Sequence, residues 1–304
     1  MLAKLLRRLL ITQLLFGAAL GAWVAQVQHW PLWTAAIWAL LLPFATMVLV
    51  DIASGLLSRD PHEPLGHWLR SLWGEFRAGF VIFLFRQPWA RRTPKLLPAT
   101  GPLVKTPVVL VHGYLCNHRI WDDIAPALRA QGHPVFAVNL EPIFGSIDLY
   151  TTAIEHAVQA LMAHTGHRQV ALVGHSMGGL AIRAWMRKHG ADRVARVITL
   201  GTPHVGTRLA RGSPAHNARQ MQWASKWLEE LAASESPAIL ERLRIALTPQ
   251  DNIVCPQRAQ VLPGVPHTVF EGIGHLQMCT DRAVLAWLQE ELASLPPANA
   301  PENT

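Results

Sequence analysis

Between Leu9 and Val50 the chain carries no Asp, Glu, Lys or Arg. So long an apolar run cannot form an ordinary soluble surface, and it has to be covered by lipid or by other protein. It breaks at Gln26–Pro31 into two pieces, Leu9–Val27 and Trp33–Val50. As helices, each is long enough to cross a hydrocarbon core of about 30 Å. Two spans joined by so short a turn make a hairpin. Lys4, Arg7 and Arg8 precede it and Arg59, Arg70 and Arg77 follow it, which places both ends on the cytoplasmic side. Trp23, Trp30 and Trp33 gather at the turn, where an interfacial aromatic belt holds the far face. Two other readings compete. A cleaved signal peptide ending near Ala22 and Ala25 leaves the second apolar run unexplained, and a buried soluble helical hairpin explains both runs without lipid.

The charge is distributed to match. Residues 1–100 hold ten basic and four acidic side chains, and residues 101–304 hold seventeen and sixteen. A nucleic-acid binder would carry its basic stripe on the folded domain, so nucleic acid is excluded as a partner and anionic membrane lipid is expected. The expected location is a bacterial-type inner membrane with the following domain cytoplasmic, a periplasm-facing domain being the alternative. Cys116, Cys255 and Cys279 show no metal-ligand spacing and no disulfide framework, and free thiols are expected.

With 304 residues, the chain has room for one domain of about 200 residues and an appendage. The expected division is a transmembrane hairpin at 1–58, an amphipathic juxtamembrane helix and basic linker at 59–101, a domain at 102–295 and a disordered tail at 296–304. Within the second part, Leu65, Trp68, Leu69, Leu72, Trp73, Phe76 and Phe80 recur at three- and four-residue steps, with Arg70, Glu75 and Arg77 off that stripe. Such a helix lies in the headgroup layer or packs on the domain, and period alone does not choose. Arg86, Arg91, Arg92 and Lys95 form the basic linker.

After Pro102 short β-branched runs alternate with helical ones. Strands are expected near Val108–His112, Val135–Asn139, Val170–Gly174, Val194–Leu200, Leu243–Leu247 and Thr268–Glu271. Helices are expected near Asp122–Ala130, Ile147–Ala163, Met177–His189, Ala218–Ala233 and Arg282–Ala293. Continuous apolar strands separated by helices imply a mostly parallel sheet covered on both faces, with functional groups beyond the strands' carboxyl ends. The strongest signal is Gly174-His175-Ser176-Met177-Gly178, between an apolar strand and a helical run. Glycines two before and two after the serine allow a tight strand-to-helix turn that projects the Ser176 hydroxyl.

A serine hydroxyl is a poor nucleophile without a histidine base oriented by a carboxylate. Asp251 and His275 both lie in loops just beyond strands, in the order serine, acid, histidine. His267 precedes the final strand, at the wrong end of the sheet. Glu271 sits inside that strand, and Asp281 opens the last helix as an N-cap. Two backbone N–H donors are needed for an oxyanion, and the expected ones belong to Met177 and Tyr114, with Gly113 permitting the close turn. His112, Gly113, His175, Gly178 and His204 are expected to line the site, with His112 bracing the oxyanion loop.

Together, VLVHGY at 109–114, GHSMGG at 174–179, LGTPHVGT at 200–207, PQDNIV at 249–254 and GIGH at 272–275 resemble the α/β-hydrolase superfamily, within it the bacterial lipase and esterase group. The resemblance covers about residues 105–295. It implies an α/β-hydrolase fold and ester hydrolysis through an acyl-enzyme on Ser176, with no metal and no organic cofactor, acting on a lipidic or hydrophobic ester. Between Gly206 and Leu243, Met221, Ala224, Trp227, Leu228 and Leu231 form an amphipathic stripe, and a small helical cap or lid is expected over residues 206–242, with core packing as the alternative. An acyltransferase using the same triad, or a membrane scaffold whose domain only binds, remains compatible with these residues. No protein partner is indicated.

Overall fold

The computed structural model describes residues 1–90, 93–101 and 104–295. Arg91, Arg92, Pro102 and the expected disordered tail at 296–304 lie outside them. The chain opens with two long helices, α1 (Leu2–Gln28) and α2 (Thr34–Ser58), followed by α3 (Leu65–Phe80). α1 and α2 run side by side because small residues let the backbones touch. A Cβ on Gly17 would lie 2.6 Å from the Trp38 carbonyl oxygen, and one on Gly21 would lie 2.7 Å from Ala35 Cα. Both helices are long and apolar enough to cross a membrane.

A seven-stranded sheet follows, built from β1 (Leu96–Leu97), β2 (Val108–Val111), β3 (Val135–Ala137), β4 (Val170–His175), β5 (Val194–Leu200), β6 (Leu243–Leu247) and β7 (His267–Val269). The spatial order is β1-β3-β2-β4-β5-β6-β7, parallel throughout except for β1, which runs antiparallel along the edge of β3. Alternation along a strand feeds two cores. Val109 and Val111 of β2 face α5 (Thr151–Thr165) and α6 (Met177–His189). Val108 and Leu110 face α4 (Ile124–Ala130) and α10 (Arg282–Ala293). The expected mostly parallel sheet with helices on both faces is therefore present.

The expected helix at Ala218–Ala233 is broken into α7 (His216–Gln220) and α8 (Lys226–Ala233), followed by α9 (Pro237–Arg242). Ser225 restarts the chain as an N-cap, its hydroxyl accepting from Leu228 N–H. Met221, Leu228 and Leu231 are buried in the first core. Glu235 accepts two hydrogen bonds, at 2.6 and 2.7 Å, from the buried guanidinium of Arg183 on α6. Trp227 Nε1 donates to Asp148, and Gln220 accepts from the Ile147 N–H at 2.8 Å. The amphipathic stripe of this segment is thus core packing.

α3 turns the other way from its apolar stripe. Of the seven stripe residues only Trp68 is buried, while Trp73 is 62% exposed and Leu69 60%. The inward face is Trp68, Ser71, Glu75, Ala78 and Gly79. The reason lies in what it covers: the loop after β7 presents free backbone donors, and Glu75 accepts from Leu276 N–H at 2.7 Å and Gln277 N–H at 3.1 Å. The helix is further fastened by Arg70, which donates to the Glu271 carbonyl at 2.8 Å.

Candidate active site

The β4–α6 junction places Ser176 at φ 55°, a left-handed conformation that a non-glycine residue holds only where the surroundings enforce it. Its neighbours make that possible. A Cβ on Gly178 would run into the Val111 and His112 carbonyls, and one on Gly174 would lie 2.6 Å from Gly179 N. Thr202 Oγ1 donates to the Ser176 carbonyl at 2.9 Å. Met177 is the first residue of α6, so its N–H is one of the donors that the helix itself leaves without a partner.

Asp251 and His275 meet at the carboxyl ends of β6 and β7. Asp251 Oδ2 accepts from His275 Nδ1 at 2.7 Å, and Asp251 Oδ1 accepts from the N–H groups of Ile253 and Val254 at 2.8 and 2.7 Å. The carboxylate is therefore fixed from both oxygens, and the proton on His275 belongs on Nδ1, leaving Nε2 as the acceptor. Burial works against charge on His275, but Asp251 and then Glu75 outweigh it and raise its pKa above the ordinary 6.5. Gly201, at φ 56°, makes room for the pair: a Cβ there would lie 3.1 Å from His275 Nδ1 and 3.2 Å from Asp251 Oδ2.

Ser176 and His275 line one cavity of about 410 Å³. No hydrogen bond joins the Ser176 hydroxyl to His275 among the described residues, a contact that unliganded sites often close only around substrate. Tyr114 lines the same cavity, and Gly113 brings its loop against the elbow, where a Cβ would lie 2.7 Å from Ser176 Cβ. His112 is held neutral by burial, with its pKa lowered to about 4. Its Nε2 accepts from Leu140 N–H at 2.9 Å and its Nδ1 donates to the Gly113 carbonyl at 2.8 Å, so it braces the turn that carries Tyr114. His175 also lines the cavity. Burial and the adjacent His275 keep it neutral, and its Nε2 donates to the His275 carbonyl at 3.0 Å.

His204 does not line the cavity. It lies behind the elbow between Thr199 Oγ1 and the Arg183 guanidinium, and burial and that positive charge keep it neutral. His112, Gly113 and Gly178 likewise shape the site from behind, by hydrogen bonds or close approach, and do not line the cavity. His267 is the first residue of β7, at the end of the strand away from His275. Asp281 caps α10, accepting from Ala283 N–H at 2.8 Å. Among the described residues no group of three His, Cys, Asp or Glu side chains is arranged to hold a metal ion. All three cysteines are free and buried, and burial pushes the Cys116 thiol up to about 12.

The roof comes from a different place than the expected cap. No residue of 206–242 lines the cavity; its far wall is Gln13 of α1, Thr46, Met47, Val50 and Asp51 of α2, and Glu75 of α3. Glu75 is 1% exposed, and burial raises its carboxyl to about 7 against the opposing pull of His275 and the two N–H groups. Its role is invisible in the sequence because it stands on the polar side of an amphipathic helix, and its partners lie about two hundred residues later in the chain. The hairpin also grips the acid loop: Asn252 Nδ2 donates to Ser54 Oγ at 3.1 Å, and Gln257 Nε2 donates to the Ser58 carbonyl at 2.9 Å.

Residues 106–243 match the family described as alpha/beta hydrolase fold. A triacylglycerol lipase of Pseudarthrobacter phenanthrenivorans is 35% identical over 120 residues, covering 36% of this chain and 37% of that protein. A pimeloyl-[acyl-carrier protein] methyl ester esterase of Vibrio cholerae is 33% identical over 95 residues, covering 31% and 36%. The chain thus spans little more than a third of the length of the curated relatives it matches. Among solved structures, the mature form of Bacillus licheniformis lipase BlEst2 superposes with a TM-score of 0.56 at 19% identity, covering 65% of this chain and 98% of that one. With this match, this likeness and its own sheet order, the domain that follows the N-terminal helices has the alpha/beta hydrolase fold.

Proposed function

We propose that this chain is a membrane-anchored serine esterase of the lipase kind, hydrolysing hydrophobic carboxylic esters through an acyl-enzyme on Ser176. The observation that carries the reading is the buried His275–Asp251 contact of 2.7 Å, in a cavity that a serine on a strained elbow also faces. Ser176 Oγ attacks the ester carbonyl carbon as its proton passes to His275 Nε2. The oxyanion is met by the backbone N–H groups of Tyr114 and Met177, a contribution of about 3 kcal/mol per donor where the site is dry. The C–O bond to the leaving alcohol breaks as His275 returns the proton to it. Water, deprotonated by the same Nε2, then releases the acid and restores Ser176. Asp251 holds the imidazole in its tautomer throughout.

The hairpin at 1–58 anchors the chain, the segment 59–101 lies at the membrane surface, and the domain at 102–295 is cytoplasmic. This rests on the uncharged run, its basic flanks and the two helices able to span a bilayer. Alkaline carbonate is expected to leave the chain in the membrane fraction, and external protease on spheroplasts to spare it; cleavage after residue 60 would contradict the orientation. For the chemistry, Ser176→Ala is expected to lower ester turnover by about 10⁴-fold or more with the fold intact. A folded variant retaining near-normal rate would remove Ser176 from the mechanism.

A further inference from the structure

Two cavities share Asp51. One is the site cavity; the other, of about 280 Å³, lies between α2 and α3 and is lined by Val48, Asp51, Ile52, Leu72, Trp73 and Phe76. Every member but Asp51 is hydrocarbon or aromatic, and Val48, Ile52 and Trp73 are exposed, as are Leu49 and Leu56 of α2 and Leu69 of α3. An apolar cleft therefore opens on the face that the anchoring reading turns toward lipid, and it adjoins the reactive serine's cavity through a carboxyl.

The charges around the serine are one-sided. Among the described residues lining its cavity there are two acids, Asp51 and Glu75, and no Lys or Arg. Asp51 borders both cavities, and its Oδ2 is buried without a hydrogen-bond partner. A phosphate brought to this place would be desolvated beside two carboxyls with no Lys or Arg to pair with, which is strongly unfavourable. A hydroxyl, by contrast, would supply the donor that Asp51 lacks, and a buried acceptor left unmade is costly enough to favour such a ligand. Polar side chains placed inside membrane helices mark substrate paths for the same reason.

Resting on the serine-esterase reading above, we propose that the site takes an uncharged, hydroxyl-bearing acyl ester from the bilayer, an acylglycerol in chemical class. An acyl chain lies in the α2–α3 cleft, and a free hydroxyl donates to Asp51. The membrane hairpin is then a wall of the substrate site as well as an anchor. Anionic phospholipids, which the basic flanks attract to the surface, are the surrounding matrix and are poor substrates.

The matched pair that tests this is dioleoylglycerol and dioleoyl phosphatidic acid, which differ only in whether the third glycerol oxygen is a hydroxyl or a phosphate. Each is supplied at equal mole fraction in phosphatidylcholine vesicles bearing the full chain, with Ser176→Ala as the blank. Fatty acid release is expected to be roughly tenfold or more faster from the diacylglycerol, since only the phosphate carries an unpaired buried charge. Asp51→Asn is expected to narrow that ratio. Equal or faster release from phosphatidic acid, or turnover of a soluble short-chain ester with neither lipid cleaved, overturns the substrate assignment and leaves the esterase reading standing. Loss of all Ser176-dependent ester turnover overturns the esterase reading itself. The acyl placement is read separately, with a diacylglycerol bearing a diazirine in its acyl chain and the Ser176→Ala chain. Photo-adducts are expected within residues 48–52 or 72–76, and adducts confined to 206–242, or none above background, would reject it.

Discussion

Residues 206–242 and the N-terminal helices make opposite use of similar patterns. Both present apolar faces; the sequence leaves a cap over the site or core packing open for the first and points to membrane anchoring for the second. In the fold, the first drives Met221, Leu228 and Leu231 into the core, and the N-terminal helices supply the wall facing Ser176. An apolar stripe states that a face wants covering and does not state by what. The polar residues beside it decide. Glu235 finds the buried Arg183, which draws its segment inward, and Glu75 finds two backbone donors, which turns α3 so that its apolar stripe points away from the domain.

The largest effect that sharpens this comparison lies in the chemistry both regions surround. Ser176→Ala combined with His275→Ala is expected to be little worse than either alone, because the residues act as one unit. Multiplying losses in single-turnover assays would dissolve the unit. Next comes the fastening of 206–242. Arg183→Ala leaves the Glu235 carboxylate buried and unpaired, and is expected to cost about 3–5 kcal/mol in denaturant unfolding of the α/β domain. A loss under about 1 kcal/mol would mean that this segment is held loosely and is free to act as a lid.

Glu75→Gln tests the other roof. The amide still offers an oxygen to Leu276 and Gln277 but withdraws a negative charge that helps raise the His275 pKa. Turnover of a soluble ester should rise with pH through an apparent pKa above the ordinary histidine value, since the base acts only when neutral. In Glu75→Gln that pKa should fall, with Asp251 still opposite His275 Nδ1 and His175 still beside the ring; an unmoved profile would make Glu75 purely structural. Stability carries the same signature. With the Glu75 pKa raised from 4.5 to about 7, the folded state binds the proton more tightly, so its contribution is complete below 4.5 and is lost as pH rises through about 7. The stability difference between wild type and Glu75→Gln should therefore drift over that window, and a constant difference would contradict it. The smallest effect is expected at the exposed stripe. Leu69→Gln should change the unfolding free energy, read by denaturant, by no more than about 0.5 kcal/mol, and a larger loss would mean that the stripe packs on the domain.

Much of the α/β domain was legible because its signals are local. Val194–Leu200, Leu243–Leu247, Met177–His189 and Arg282–Ala293 are found at the residues where apolar runs and periodicity place them. β1 was not legible, since two leucines carry no period, and the break between α7 and α8 depends on Ser225 and on Ala224 at φ 51°. Glu75 and Gly201 were invisible for a different reason. Each matters through a group brought to it by the fold: the loop after His275 in one case, and the His275–Asp251 pair in the other. His204 shows the converse, a histidine in a suggestive motif that the fold spends on Arg183.

The mechanism turns on Ser176 as the nucleophile and His275 as the base that activates it. Labelling the full-length chain with an alkyl fluorophosphonate and mapping the adduct by peptide mass spectrometry tests it most directly. One adduct is expected, on Ser176, and its formation should collapse in His275→Ala. An adduct on another serine, or labelling of Ser176 at an unchanged rate in a folded His275→Ala chain, would contradict it.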